Sequence, residues 1–372
     1  MLDNRIKTLA RNLISYSTDL KQGEKLLIEV FDVDDRHLVN ELVKEAYKVG
    51  AYPSVRIQNN QITKELLMGT TKEHSKILAK YLLAQMKETD AYIGISGGNN
   101  IFEYSSVPSE KKKIYAKYYS KPIHRDVRVD NTKWVILRYP TEGVAQLAGK
   151  STEDFEDFYF NVCNLDYSKM DKALNPLKEL MEKTDKVRIA SKTTDLTFSI
   201  KGMPAIKCSG KRNIPDGEIY TAPIKDSING HILYNVPSTH SGIRHENIRF
   251  EFKNGKIQKA TSSNTKELNK VLDRDEGARY IGEFSIGINP YIFDPMLDIL
   301  FDEKITGSIH LTPGSCYKNT DNKNVSTIHW DLIKILRSEH GGGEIYFDDK
   351  LISKDGRFVL ENLKQLNPEN LV

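Results

Sequence analysis

The sequence predicts an α/β N-terminal domain with a mainly parallel sheet, followed by an α+β C-terminal domain rich in antiparallel strands. Three observations carry this expectation. Up to about residue 165, apolar strand-like runs alternate with stretches of helical periodicity, which implies parallel pairing with helices on the faces. Beyond about residue 184, short strand-like segments follow one another. Two pairs in that second region, Asn254-Gly255 and Asp355-Gly356, are strong hairpin signals. At 372 residues the chain exceeds one typical core. The expected division is 1–183 and 184–372, with a connecting helical segment from about residue 151.

The elements can be justified in order. MLDNRIKTLARNLISY carries charges throughout and reads as an amphipathic helix, with no apolar block of a signal peptide. EKLLIEVFD is a strand, and RHLVNELVKEAYKVG is a helix ending at Gly50, a C-cap. AYPSVRIQ returns to strand, while ITKELLMG and HSKILAKYLLAQMKETD are helical. AYIGIS is a short strand followed by Gly97-Gly98. That pair lacks the G-x-G-x-x-G and G-x-x-x-x-G-K-[ST] patterns, and NNIFEYSS does not start a helix of that kind, so it reads as a plain βα turn. SEKKKIYAKYYSK is helical, with Lys111–Lys113 on a solvated face, and TKWVILRYP is a strand. STEDFEDFYFNVCNLDYSKMDKALNPLKELMEKTD opens on a capping-box pattern and connects the halves. DKVRIAS, LTFSIKG, GEIYTAPI, GHILYNV, IRFEFK and KIQKATS are strands. DPMLDILFD is helical and interrupts them, STIHWDLIKIL is a strand, and EIYFDD is a strand after the Gly341–Gly343 loop.

Composition excludes several function classes. Hydrophobic content of 39% and charged content of 28% are ordinary for a soluble globular protein. No apolar run reaches the ~18 residues of a membrane span. A net charge of +3 is too small to imply nucleic acid. Three cysteines, Cys163, Cys208 and Cys316, are far apart and odd in number. A disulfide framework is not expected, and a reducing cytoplasm is the natural home.

The last third gathers acidic and histidine residues in an order suited to metal: Glu218, Glu283, Glu303, His310, Tyr317, His329 and Asp331. Carboxylate and imidazole suit zinc, cobalt or manganese. No thiolate pair joins them, which argues against a closed structural site and for an open one of hydrolase type. On a strand His329 and Asp331 project from one face, and Trp330 from the other. His231, His240 and His245 read as ordinary strand and loop residues, with His240 the one that could border a cleft. Cys316 has no His-Asn partner pattern, so it is not read as a nucleophile.

Several segments resemble the thermophilic aminopeptidases, the aminopeptidase T/S-like metallopeptidases. They are YPTEGVAQLAGKSTEDFEDFYF, IPDGEIYTAP, IGEFSIGIN, the FDEK…GSIH…Tyr317 block and the final His329-x-Asp331, all in the family's order. The seven-residue interval from His310 to Tyr317 is also the family's. The resemblance implies two divalent metal ions per chain, held by Glu218, Glu283, His310, His329 and Asp331, with Tyr317 in the site. It implies a peptide substrate cut at its N-terminus, and dimers with an enclosed active site. Two neighbouring cations need a bridging carboxylate, and Glu283 is the expected bridge because Gly282 lets the backbone approach closely. Tyr317 is expected to donate to the oxyanion, and Glu303 is a candidate proton carrier. Two other readings stay open: a non-catalytic peptide or small-molecule binding protein on the same scaffold, and a dinuclear hydrolase of another amide substrate.

Overall fold

The computed structural model describes residues 3–98, 100 and 102–372. The first two residues of the expected N-terminal helix lie outside these. So do Asn99 and Ile101 of the segment after Gly97-Gly98. In chain order the strands are β1 (Lys25–Phe31), β2 (Tyr52–Gln58), β3 (Ala91–Ser96), β4 (Lys133–Arg138), β5 (Lys186–Ser191), β6 (Thr194–Ser199) and β7 (Ile206–Cys208). Next come β8 (Asn213–Ile214), β9 (Glu218–Thr221), β10 (Asn229–Leu233), β11 (Ser238–His240), β12 (Ile243–His245), β13 (Arg249–Lys253) and β14 (Lys256–Thr261). The last are β15 (Ile281–Gly287), β16 (Ser308–Pro313), β17 (Leu332–Ile335), β18 (Glu344–Phe347), β19 (Lys350–Lys354) and β20 (Arg357–Phe358).

The chain forms two compact units. The first takes the residues up to Asn164 and also Gly210–Ile214. Its sheet runs β2-β1-β3-β4-β8 and is parallel throughout. Continuous apolar runs such as Leu26–Ile28 are buried because helices cover the faces of a parallel sheet. One face packs Leu27 and Tyr92 against Leu82, Met86, Tyr119 and Ile123. Gly50 follows the helix His37–Lys48 with φ +77, the left-handed turn that glycine accepts. The helix Ser109–Tyr115 widens into a π-helical stretch, Ala116–Arg128. Pro122 lies inside it, where an ordinary helix would clash with the proline ring.

The second unit takes Leu165–Ser209 and Pro215–Val372. It holds an eight-stranded sheet, β14-β13-β10-β6-β5-β18-β19-β20, and a five-stranded sheet, β17-β16-β15-β9-β7. Every pairing in both is antiparallel. Phe198 of β6 meets Phe284 of β15 edge to face at 5.0 Å, so the two sheets share a core. Both expected hairpin turns form, with positive φ at Asn254, Gly255, Asp355 and Gly356.

Two elements are shorter than expected. DPMLDILFD is helical only over Ile299–Asp302. Leu297 has φ +60 and Asp298 caps the short helix by accepting from Leu300 N, so the first half of the segment cannot join it. In STIHWDLIKIL only Leu332–Ile335 is strand, and His329 forms an isolated bridge with Gly314. The β16–β17 ladder stops where Pro313, which has no N–H, comes opposite Trp330. Among the described residues, no helix is long and apolar enough to cross a membrane.

Candidate metal centre

The register of the five-stranded sheet assembles a polar face. Glu218 stands opposite Gly287, Ser285 opposite His310, and Glu283 opposite Thr312. Alternation puts Glu218, Glu283, Ser285, His310 and Thr312 on this face, and turns Ile219, Phe284, Ile286, Ile309 and Leu311 to the other. All ten are buried.

Glu283 is the hinge of the cluster. Its Oε1 lies 3.5 Å from His310 Nε2 and its Oε2 lies 3.2 Å from His329 Nε2. His310 Nε2 is also 3.5 Å from Glu218 Oε2, and His329 Nε2 is 3.4 Å from Asp331 Oδ1. Two sets of ligand atoms result, Glu218/Glu283/His310 and Glu283/His329/Asp331, each with its atoms within 4.8 Å of one another. The five residues singled out in sequence as metal ligands therefore converge, and the one shared between the sets is Glu283. His329 and Asp331 do face the same way although they lie outside a regular strand. Trp330 points away, stacking on His240 and donating to Ser238 Oγ at 2.8 Å.

Neighbouring groups orient the donors. Ser285 Oγ donates to Glu218 Oε2 at 2.8 Å, and Thr312 Oγ1 donates to Asp331 Oδ1 at 2.5 Å. His329 Nδ1 donates to the Ser315 carbonyl at 2.8 Å, which fixes the ring so that Nε2 is the nitrogen turned toward the carboxylates. Tyr317 is 46% exposed at the edge of the cluster, its ring 4.8 Å from that of His329. Glu303 is not in either set of ligand atoms. It accepts from Lys304 Nζ, and Lys304 is fully buried, 2.5 Å from Glu218 Oε1.

The electrostatics fit a cationic occupant. Both oxygens of the buried Glu283 carboxylate face a histidine nitrogen, Oε1 that of His310 and Oε2 that of His329. Glu218, Glu283, Glu303 and Asp331 bring four carboxylates together, and Lys304 supplies one permanent positive charge. Burial opposes charge on His310, yet the Glu283 hydrogen bond and the Glu218 charge raise its pKa to about 9. Burial likewise opposes charge on His329, and Asp331 and Glu283 lift it to about 10. Imidazoliums thus stand where divalent cations would sit. Burial raises Glu303 to about 8, with Lys304 pulling it down and Glu218 and Asp331 pushing it up. Partial burial of the ring and the charges of Glu283 and Asp331 raise the Tyr317 phenol above its ordinary range, so it stays a donor.

Gly282 is where the two halves of the cluster touch. A Cβ there would lie 2.5 Å from the carbonyl oxygen of Gly314 and 2.5 Å from the carbonyl carbon of Ser315, the residue that orients His329. Gly282→Ala must push this backbone aside, an overpacking cost of about 1–3 kcal/mol. The expected result is a lower melting temperature together with weaker metal binding, read by calorimetry and metal analysis. A variant as stable and as metal-loaded as the parent would show that the approach is not required.

A family model described as thermophilic metalloprotease (M29) matches residues 2–358. The chain belongs to this family. Its members cut peptide bonds with the help of metal, which is the chemistry the donor set suits. Among curated proteins, aminopeptidase AmpS of Bacillus subtilis is 24% identical over 84% of each chain. Among solved structures, wild-type AmpT from Thermus thermophilus superimposes with a TM-score of 0.80, covering 97% of this chain and 100% of that one at 19% identity. A 2,5-dihydroxypyridine dioxygenase from Pseudomonas putida shares the fold at a TM-score of 0.60, 14% identity and 96% and 98% coverage. The fold alone therefore does not select a reaction.

Within this M29 chain, sequence reasoning missed Lys304. Its only local signal is a lysine beside Glu303 in a segment that otherwise looked like a helix end. It also missed the pairing of Ser285 with Glu218 and of Thr312 with Asp331, although period-two alternation in GEFSIG and SIHLTP marks both as same-face residues. His240 and His245 belong to the small β11–β12 hairpin and pack on Trp330.

Proposed function

We propose that this M29 metalloprotease is an aminopeptidase that removes N-terminal residues from peptides at a dinuclear centre. The observation that carries the reading is the shared carboxylate: each oxygen of Glu283 faces a different histidine, and a separate acid completes each side. The aminopeptidase name of the relative aligned over most of the chain supports the choice of substrate end. Glu218, Glu283 and His310 would hold one ion, and Glu283, His329 and Asp331 the other. Bound there, two divalent cations (zinc, cobalt or manganese) would polarise the scissile carbonyl and lower the pKa of water toward ~7.

The chain's own groups do the rest. Ser285, Thr312 and the Ser315 carbonyl keep the donors in place, so little reorganisation accompanies reaction. The protonated Tyr317 phenol, at the open edge, donates to the oxyanion of the tetrahedral intermediate. Glu303, held beside Glu218 by Lys304, takes a proton from the attacking water and delivers it to the leaving amine. The excess carboxylates receive the α-amine of the substrate. We further propose a catalytic domain spanning residues 184–372, a homodimer, and a cytoplasmic setting for a chain with three scattered cysteines.

Exhaustive chelation is expected to abolish hydrolysis of amino-acid anilides. Zinc, cobalt or manganese should restore it at about two ions per chain. The chelated protein should also melt lower, because cation binding to the folded state is lost. Full activity in verified metal-free protein, or restoration at one ion per chain, would remove the dinuclear reading. Binding of peptides without any turnover across a broad panel would favour the binding-protein alternative.

A further inference from the structure

Beside the centre lies a third acidic pocket. Cys208, Asp216 and Glu218 each offer a ligand atom within 4.8 Å of the others. Cys208 pairs with Glu218 in the β7–β9 ladder, and Asp216 precedes Glu218 by one turn residue. Lys304 projects into this pocket. Its Nζ is 2.5 Å from Glu218 Oε1, 3.7 Å from Asp216 Oδ1 and hydrogen-bonded to Glu303. Its side chain has no exposure at all. The backbone fixes it there: Asn289 N donates to the Lys304 carbonyl at 3.0 Å, and Asn289 Nδ2 donates to the Asp216 carbonyl at 2.6 Å. One asparagine thus ties the lysine to the turn that carries the acids.

We infer that Lys304 is a positioning residue that acts as the fixed cation of the metal centre. It occupies one oxygen of Glu218, so that only Oε2 faces His310, and it fills the Cys208–Asp216–Glu218 pocket so that no metal ion enters. The inference rests on the two-ion reading of the centre and adds what limits the number to two. A buried ammonium between three carboxylates neutralises part of their charge without competing for the imidazoles. It also keeps Glu218 from closing on an ion through both oxygens. Without it, the pocket would present the carboxylates of Asp216 and Glu218 and the sulfur of Cys208, a donor set that accepts zinc or cobalt. Such an ion enters only with release of the Cys208 thiol proton to solvent as the metal–sulfur bond forms.

The test is titration of chelated protein with Co²⁺, read by absorption and by ions bound per chain. The parent should take about two ions and show no thiolate-to-cobalt charge-transfer band. Lys304→Met should acquire that band and about one further ion, and should lose turnover about tenfold or more as Glu218 rebinds. Lys304→Met/Cys208→Ser should lack the band. If Lys304→Met fails to fold, Glu303→Gln/Lys304→Met removes one acid along with the ammonium and is expected to show the same band. Absence of the band, with ion number and affinity as in the parent, would overturn the inference. A parent that binds only one ion would instead overturn the dinuclear reading, while the appearance or absence of the band in the variant still decides the role of Lys304.

Discussion

Glu283→Gln removes nearly all turnover, by about a thousandfold or more, while leaving the fold intact. The amide keeps the shape of the side chain but loses the charge that two cations would share. A thousandfold loss corresponds to ~4 kcal/mol of transition-state stabilisation. The chain should still fold, because the amide keeps the shape of the buried carboxylate, with a melting temperature lowered about as far as chelation lowers that of the parent. Metal content should fall by about one ion per chain or more, since both sets of donors include Glu283. The measurements are kcat/KM on an anilide, metal analysis and a melting curve. Parent-like turnover with a full metal complement would show that Glu283 does not bridge.

An N-acetylated peptide is expected to resist cleavage while its unblocked twin is shortened one residue at a time. A free amine gains charge-assisted hydrogen bonds from a carboxylate-rich site, and acetylation removes them and adds bulk. Losing several kcal/mol of positioning lowers the rate by orders of magnitude. Mass spectrometry of both peptides over a time course with metal-loaded enzyme reads the result. Equal cleavage, or a first cut at an internal bond, would leave a metallohydrolase and discard the aminopeptidase reading.

What the sequence made legible follows from how local each signal is. Strands such as β1 and β3 announce themselves through apolar runs, and the Asn254-Gly255 and Asp355-Gly356 turns through residues that tolerate positive φ. The donors of the centre were legible for a different reason: carboxylates and imidazoles recur through the last third, His329 and Asp331 are spaced to face one way on an extended chain, and the family resemblance picks out the five. Lys304 was not legible, because its burial depends on Asp216, Glu218 and Glu303 meeting in space, and a lysine near a short helix normally reads as solvated. The short helix at 299–302 misled for want of a visible cap: Asp298 closes it only once Leu297 has turned left-handed. β8 was missed because two residues are too few to show any period.

That two-residue strand has a consequence for synthesis. β8 completes the edge of the first sheet by pairing with β4, yet residues 139–212 separate them in the chain. A ribosome therefore cannot release a finished first unit before it has made β5, β6 and β7 of the second. Until Ile214 emerges, β4 presents an unpaired edge, the feature by which nascent chains pair with the wrong neighbour. Three residues lie between Ile214 and Glu218, so the step that closes this edge is followed at once by delivery of the first acidic residue of the cluster. Vectorial folding of this enzyme should thus proceed with both units half-built, and a pause in translation just before residue 213 would be the point of greatest hazard.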